Sequence, residues 1–150
     1  MEKFFSPIEK QYFYFKIANM DKFKLSVTLP AGPQEIYDAW LSGKEHSKFT
    51  GSKATASARK KGSFTAWDGY ISGKNLELKK GKRIVQSWRT TEFPNNAEDS
   101  ILELRLEKKE GSKTALTLIH TNIPKGQGAR YKGGWKTHYF EPMKDYFARK

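Results

Sequence analysis

A change of rhythm constrains this chain more than any other feature. Between residues 54 and 121 turn signals recur at strand-length intervals, and from residue 131 apolar residues step by four instead. The turn signals are Lys60-Lys61-Gly62, Asp68-Gly69, Lys80-Gly81, Pro94-Asn95-Asn96 and Glu110-Gly111-Ser112. Glycine, asparagine and aspartate tolerate the backbone angles of tight turns, so this pattern marks an antiparallel meander. The strand-length segments are 54–58, 62–67, 70–78, 83–90, 100–107 and 114–121. Asp68-Gly69 is the best two-residue hairpin signal among the turns. Beyond them Tyr131, Trp135, Tyr139, Met143 and Phe147 stay on one broad face of a helix. Pro142 removes one backbone donor from that helix and predicts a kink.

The opening of the chain completes the pattern. Phe23, Leu25, Val27 and Leu29 alternate with Lys24, Ser26 and Thr28, as a half-buried strand requires. Pro30-Ala31-Gly32-Pro33 breaks it, and Pro33 suits the first turn of a helix carrying Ile36, Tyr37, Trp40 and Leu41. Gly43 ends that helix, and a short second one covers 44–49. The expected fold is therefore α+β. A curved antiparallel sheet of about seven strands wraps around a long C-terminal helix, with two short helices after the first strand. That domain occupies residues 22–150. Residues 1–21 are an extension, either flexible or adding an edge strand through Tyr12, Phe13, Tyr14 and Phe15. Met20 leaves open a translation start just before the first clear strand.

Composition narrows function by exclusion. The 150 residues include no cysteine, which removes disulfides, thiolate metal sites and cysteine nucleophiles. No apolar stretch approaches the roughly 20 residues of a membrane span. The N-terminus lacks a signal peptide's apolar region, and a cytoplasmic location is expected. The net charge is +12, and residues 1–21 contribute none of it, with three bases against three acids. The basic clusters Arg59-Lys60-Lys61 and Lys79-Lys80-Lys82-Arg83 fall at turns, and Arg130, Lys132 and Lys136 on the last helix. No nucleic-acid motif accompanies them, so nucleic acid is not the expected partner. A solvated rim, or a surface steering an acidic protein partner, fits better. His46, His120 and His138 lie in three elements without ligand spacing, so no metal site is expected. No nucleophile elbow or phosphate loop occurs. No catalytic residue is assigned and no cofactor is expected.

Four blocks resemble a known family. They are 33–40 (PQEIYDAW), 45–51 (EHSKFTG), 64–89 (FTAWDGYISGKNLELKKGKRIVQSWR) and 133–146 (GGWKTHYFEPMKDY). Together they resemble bacterial Aha-type domains, which are like the activator of heat-shock chaperone ATPase. These belong to the START-like, birch-pollen-allergen-like superfamily (SRPBCC). The resemblance covers residues 22–148. It implies a helix-grip fold of seven antiparallel strands with a cavity under the helix, where many members hold lipophilic small molecules. It also implies a possible partner, because the eukaryotic namesakes stimulate the ATPase of the ninety-kilodalton heat-shock chaperone. A separate N-terminal domain supplies much of that activity, and residues 1–21 are too few to encode one.

Strand periodicity then nominates a site. Leu116, Leu118 and His120 share one face; so do Ile84, Gln86 and Trp88, and so do Leu102, Leu104 and Leu106. If concave, these faces line a space under Trp135, Tyr139 and Met143, with Phe64 and Trp67 closing one end. Gln86, Trp88, His120 and Tyr139 would orient a ligand between apolar walls. The competing expectation is a filled core with those polar groups satisfied internally. His46 is expected to brace a loop, and Trp40 and Phe49 to pack. The leading function is non-enzymatic binding of an apolar or amphipathic small molecule by a monomer or weak dimer. The alternatives are a heat-shock chaperone partner with modulation of its ATPase, and an enzyme of unknown reaction using the same cavity.

Overall fold

Among the described residues, alternation of apolar and polar residues folds into six antiparallel strands, and the four-step stripe into the helix they grip. The computed structural model describes residues 6–150, apart from the side chains of residues 13 and 15–18. Helix α1 (Pro7–Ala18) precedes strand β1 (Asp21–Leu29), then helices α2 (Pro33–Trp40) and α3 (Gly43–Thr50). Strands β2 (Ser63–Ala66), β3 (Ile71–Lys79), β4 (Arg83–Thr90), β5 (Ser100–Lys109) and β6 (Lys113–Ile123) follow. The chain ends in a helical run of α4 (Gly128–Gly134), a π segment (Trp135–Phe140) and α5 (Glu141–Ala148). The sheet order is β1-β6-β5-β4-β3-β2, and every pairing is antiparallel.

Register builds the core face. Leu104 sits between Ile84 of β4 and Leu118 of β6, and Leu118 in turn pairs with Leu25 of β1. The next row runs Gln86, Leu102, His120. Residues between them, such as Glu103 and Arg105, point outward, and Glu103 pairs with both Arg105 and Arg83. Each fully buried leucine in these rows contributes about 1.5–3 kcal/mol. Gly73 shows how tightly β2 and β4 close on β3. A Cβ there would lie 1.8 Å from the Ser87 carbonyl oxygen and 2.7 Å from Phe64.

Three local expectations are corrected. The segment 54–58 is not a full strand, and only Thr55 bridges Thr65. Side chains take up several of the neighbouring backbone groups instead: Ser47 Oγ accepts the Ala54 N–H, and the Asn75 amide donates to the carbonyls of Ser57 and Arg59. The stretch holding Tyr12 to Phe15 is helix, not edge strand. Its start is a Ser-x-x-Glu sequence in which Ser6 Oγ accepts the Glu9 N–H at 3.1 Å, with Pro7 in the first turn. The Asp68-Gly69 hairpin is a four-residue loop, because β2 ends at Ala66 and β3 begins at Ile71.

The Pro142 defect takes the form of a wider turn. The six residues before α5 are π-helical, which relieves the clash between a proline ring and the preceding turn. A four-residue step overshoots a 3.6-residue α turn, so an α-helical stripe drifts. The wider π turn counters that drift. Tyr131, Trp135, Tyr139, Met143 and Phe147 are accordingly all buried.

Candidate ligand-binding cavity

A cavity of about 390 Å³ opens where the loop between β2 and β3 meets the C-terminal helix. Trp67 and Tyr70 line it from the loop, Ile71 and Trp88 from β3 and β4. Tyr131, Gly134, Trp135, His138 and Tyr139 line it from the helix. The loop is built for this. Trp67 and Asp68 both adopt φ 54°, a left-handed conformation costing roughly 1–2 kcal/mol in a non-glycine residue. The Asp68 N–H donates to Lys53 carbonyl and the Tyr70 N–H to Trp67 carbonyl, which holds the loop there. The Trp67 ring then lies edge-on to His138 and Tyr139, at 5.5 and 6.4 Å between centroids.

The wall residues are pinned from behind. The Trp135 indole N–H donates to His120 Nδ1 at 3.1 Å. Indole is a donor only, so His120 carries its proton on Nε2 and donates to Ser100 Oγ at 2.8 Å. The Ser100 hydroxyl donates in turn to the Trp88 carbonyl at 2.6 Å. Burial pushes His120 down to about 3, so the ring is neutral. A second chain holds Tyr139. The Trp40 carbonyl can only accept, so His46 Nδ1–H donates to it at 3.0 Å, and His46 Nε2 accepts the Tyr139 hydroxyl at 2.9 Å. Burial lowers His46 to about 4, partly offset by its bond to the Trp40 carbonyl. Burial raises the Tyr139 phenol, and a hydrogen bond from Trp67 acts the other way. Thr90 donates to the Tyr131 hydroxyl, which donates to Gln127. Tyr70 donates to Glu92, itself paired with Arg130. Burial, then the Glu92 bond, pushes Tyr70 up to about 12.

The ten expected site residues divide. Trp67, Trp88, Trp135 and Tyr139 meet at the cavity. Phe64, Leu104, Leu118 and Met143 are buried core, and none lines it. Gln86 is buried as a structural bracket. Its Oε1 accepts the Trp40 indole N–H at 3.2 Å and its Nε2 donates to Asn75 Oδ1 at 2.8 Å. His120 lies one layer behind Trp135. Tyr70, Tyr131 and His138 line the cavity without having been nominated. Tyr131 heads the helical stripe and Tyr70 closes the Asp68-Gly69 turn, so both carried a signal. His138 lies off the stripe, and only its ring contact with Trp67 marks it.

An antiparallel sheet curved around a long C-terminal helix, with a cavity between them, defines a helix-grip domain of the START-like class. The chain belongs to the family described as Activator of Hsp90 ATPase homolog 1-like protein, which it matches over residues 30–148. It is 30% identical over 126 residues to the human activator of 90 kDa heat shock protein ATPase homolog 1. That match covers 84% of this chain and 37% of the human protein, so the chain spans little more than a third of that relative. A Dictyostelium discoideum activator of 90 kDa heat shock protein ATPase homolog is 26% identical over 126 residues, covering 83% of this chain and 32% of that protein. Among solved structures, an HSP90 activator from Plasmodium falciparum superposes with TM-score 0.78 at 21% identity, covering 85% of this chain and 96% of that one. The Aha1 dimer from Colwellia psychrerythraea gives 0.73 at 16% identity, with 87% and 99% covered.

Proposed function

We propose that this chain is a non-enzymatic binding domain for an apolar or amphipathic small molecule, held in the aromatic cavity between sheet and helix. The cavity itself carries this reading. About 390 Å³ is room for a ligand, within the range of small-molecule sites. No serine–histidine pair opens onto it among the described residues: the Ser100–His120 pair is fully buried and spends its hydrogen bonds on Trp88 and Trp135. A cytoplasmic location belongs to the same proposal, as does the division into a domain at 22–150 and an extension at 1–21. Native mass spectrometry of protein purified from its own host tests it. A retained adduct of small mass is expected. Bare protein, together with no binding of any apolar probe in solution, would overturn it.

The family match favours a second reading, in which this domain binds a heat-shock chaperone and modulates its ATPase. The supporting observation is the 30% identity to a named activator across 84% of this chain. The expected result is a change in the ATPase rate of the same cell's ninety-kilodalton chaperone on adding this chain. An unchanged rate with no complex at low salt removes the reading.

A further inference from the structure

The ligand class follows from which wall atoms remain free. Six of the cavity's side chains are tryptophan or tyrosine. Four have their polar tips tied to residues that are not part of the lining: Trp135 to His120, Tyr139 to His46, Tyr131 to Gln127 and Tyr70 to Glu92. Those tips face away, so the four rings present mainly carbon to the interior. Ring systems attract other rings through their quadrupoles, beyond the area they bury.

Three polar groups are left, and one of them, the Trp67 indole N–H, is directed at the Tyr139 hydroxyl. Among the described residues, neither the Trp88 indole N–H nor the His138 imidazole has a hydrogen-bond partner, and both line the cavity. No fully buried side-chain nitrogen or oxygen lacks a partner among the described residues. The Trp88 N–H is therefore not sealed off, although Trp88 is only 3% exposed, and Trp88 is a lining residue of the cavity. Trp88 Nε1 can only donate. A saturated chain would leave that donor unmatched and would forgo the ring contacts.

We infer that the cavity selects a planar, multi-ring aromatic molecule carrying a hydrogen-bond acceptor, with the rings against the tryptophan and tyrosine walls and the acceptor at Trp88 Nε1–H and His138. This rests on the proposed binding function and adds the ligand's chemistry to it. Trp67 covers the rings from the loop between β2 and β3. Its half-exposed side chain forms the outer wall of the cavity.

The test uses the full chain and two probes of similar reach, anthraquinone-2-sulfonate and dodecanoate, followed by calorimetry. The aromatic probe is expected to bind at least about tenfold more tightly than the aliphatic one. Trp67→Ala should weaken it about tenfold and His138→Ala about fivefold, with the thermal midpoint of each variant checked. Nitrogen-15 labelling supplies a readout free of any folding defect, because the Trp88 indole N–H resonance should shift on binding the quinone. Equal or tighter binding of dodecanoate would overturn the aromatic inference and leave the binding function standing. An unmoved Trp88 resonance in a saturated complex would overturn the assigned anchor. Failure of both probes would remove the cavity reading together with this one.

Discussion

Two halves of one core behave differently under the same helix. Around Leu102, Leu104, Leu106, Leu116, Leu118 and Met143 the space is closed, and these side chains are 0–8% exposed. Around Trp67, Trp88, Trp135 and Tyr139 about 390 Å³ remains open. Both halves are apolar, so hydrophobicity does not separate them. Leucine and methionine have no polar tip to be held by a distant partner, so they pack against one another until the interior is close-packed. An aromatic ring held at its tip cannot follow. The bonds from Trp135 to His120 and from Tyr139 to His46 fix where the rings stop. A cavity survives where the walls are tethered from behind.

Acid should act first on the tethers, and it is the largest effect expected. His46 and His120 are held down to about 4 and about 3 from an ordinary 6.5. The unfolded chain binds these protons below about pH 6.5 while the native chain resists them, so the unfolded state takes up more protons. Their contribution is complete above that pH and is lost progressively as the pH falls toward 4 and then 3. The total is on the order of several kcal/mol. Urea midpoints between pH 7 and 4 should fall steadily, and a flat profile would refute the buried neutral imidazoles.

Substitutions sharpen the contrast between the halves. Leu104→Ala on the filled side should destabilise by about 2–5 kcal/mol, the cost of a lost side chain and the void it leaves. His120→Leu strands the Trp135 donor and should cost about 1–3 kcal/mol, while flattening part of the acid dependence. Comparable denaturation curves for wild type and Leu104→Ala would mean the leucine half is looser than its packing implies. Tyr139→Phe removes one tether and should cost about 0.5–1.5 kcal/mol in chemical denaturation. It should also weaken anthraquinone-2-sulfonate, since the freed ring can relax into the cavity. Trp67→Gly should change stability by less than about 1 kcal/mol, because losing a half-buried ring is offset by relief of the left-handed strain, which only removal of Cβ provides. A large loss of stability there would mean that the ring holds the fold together and does more than cover the cavity.

Much of this architecture was legible in the residues. The Leu102/Leu104/Leu106 alternation, the Phe23-to-Leu29 strand and the four-step helical stripe all placed their side chains on the core face. The α1 start was also present as Ser6-Pro7-Ile8-Glu9, but the aromatic run after it suggested a strand. The site was legible only by half. Gln86, Trp88 and His120 all face inward, as period two requires, yet only Trp88 reaches the cavity. Facing inward does not specify whether a polar group meets a ligand or a partner, and Trp40 and Asn75, 46 and 11 residues from Gln86 in the chain, are what claim it.

The sequence by itself determined most of the order of elements from β1 onward, the inward faces and the family, because these follow from local periodicity and from motifs contiguous in the chain. The tertiary structure decided where the core stays open. That depends on bonds between distant residues, His46 to Tyr139 across 93 positions and His120 to Trp135 across the sheet–helix boundary. It also depends on a left-handed tryptophan whose backbone cost only a packed loop can sustain. No local pattern encodes a hydrogen bond that closes on the far side of a ring, and here such bonds separate the open half of the core from the filled one.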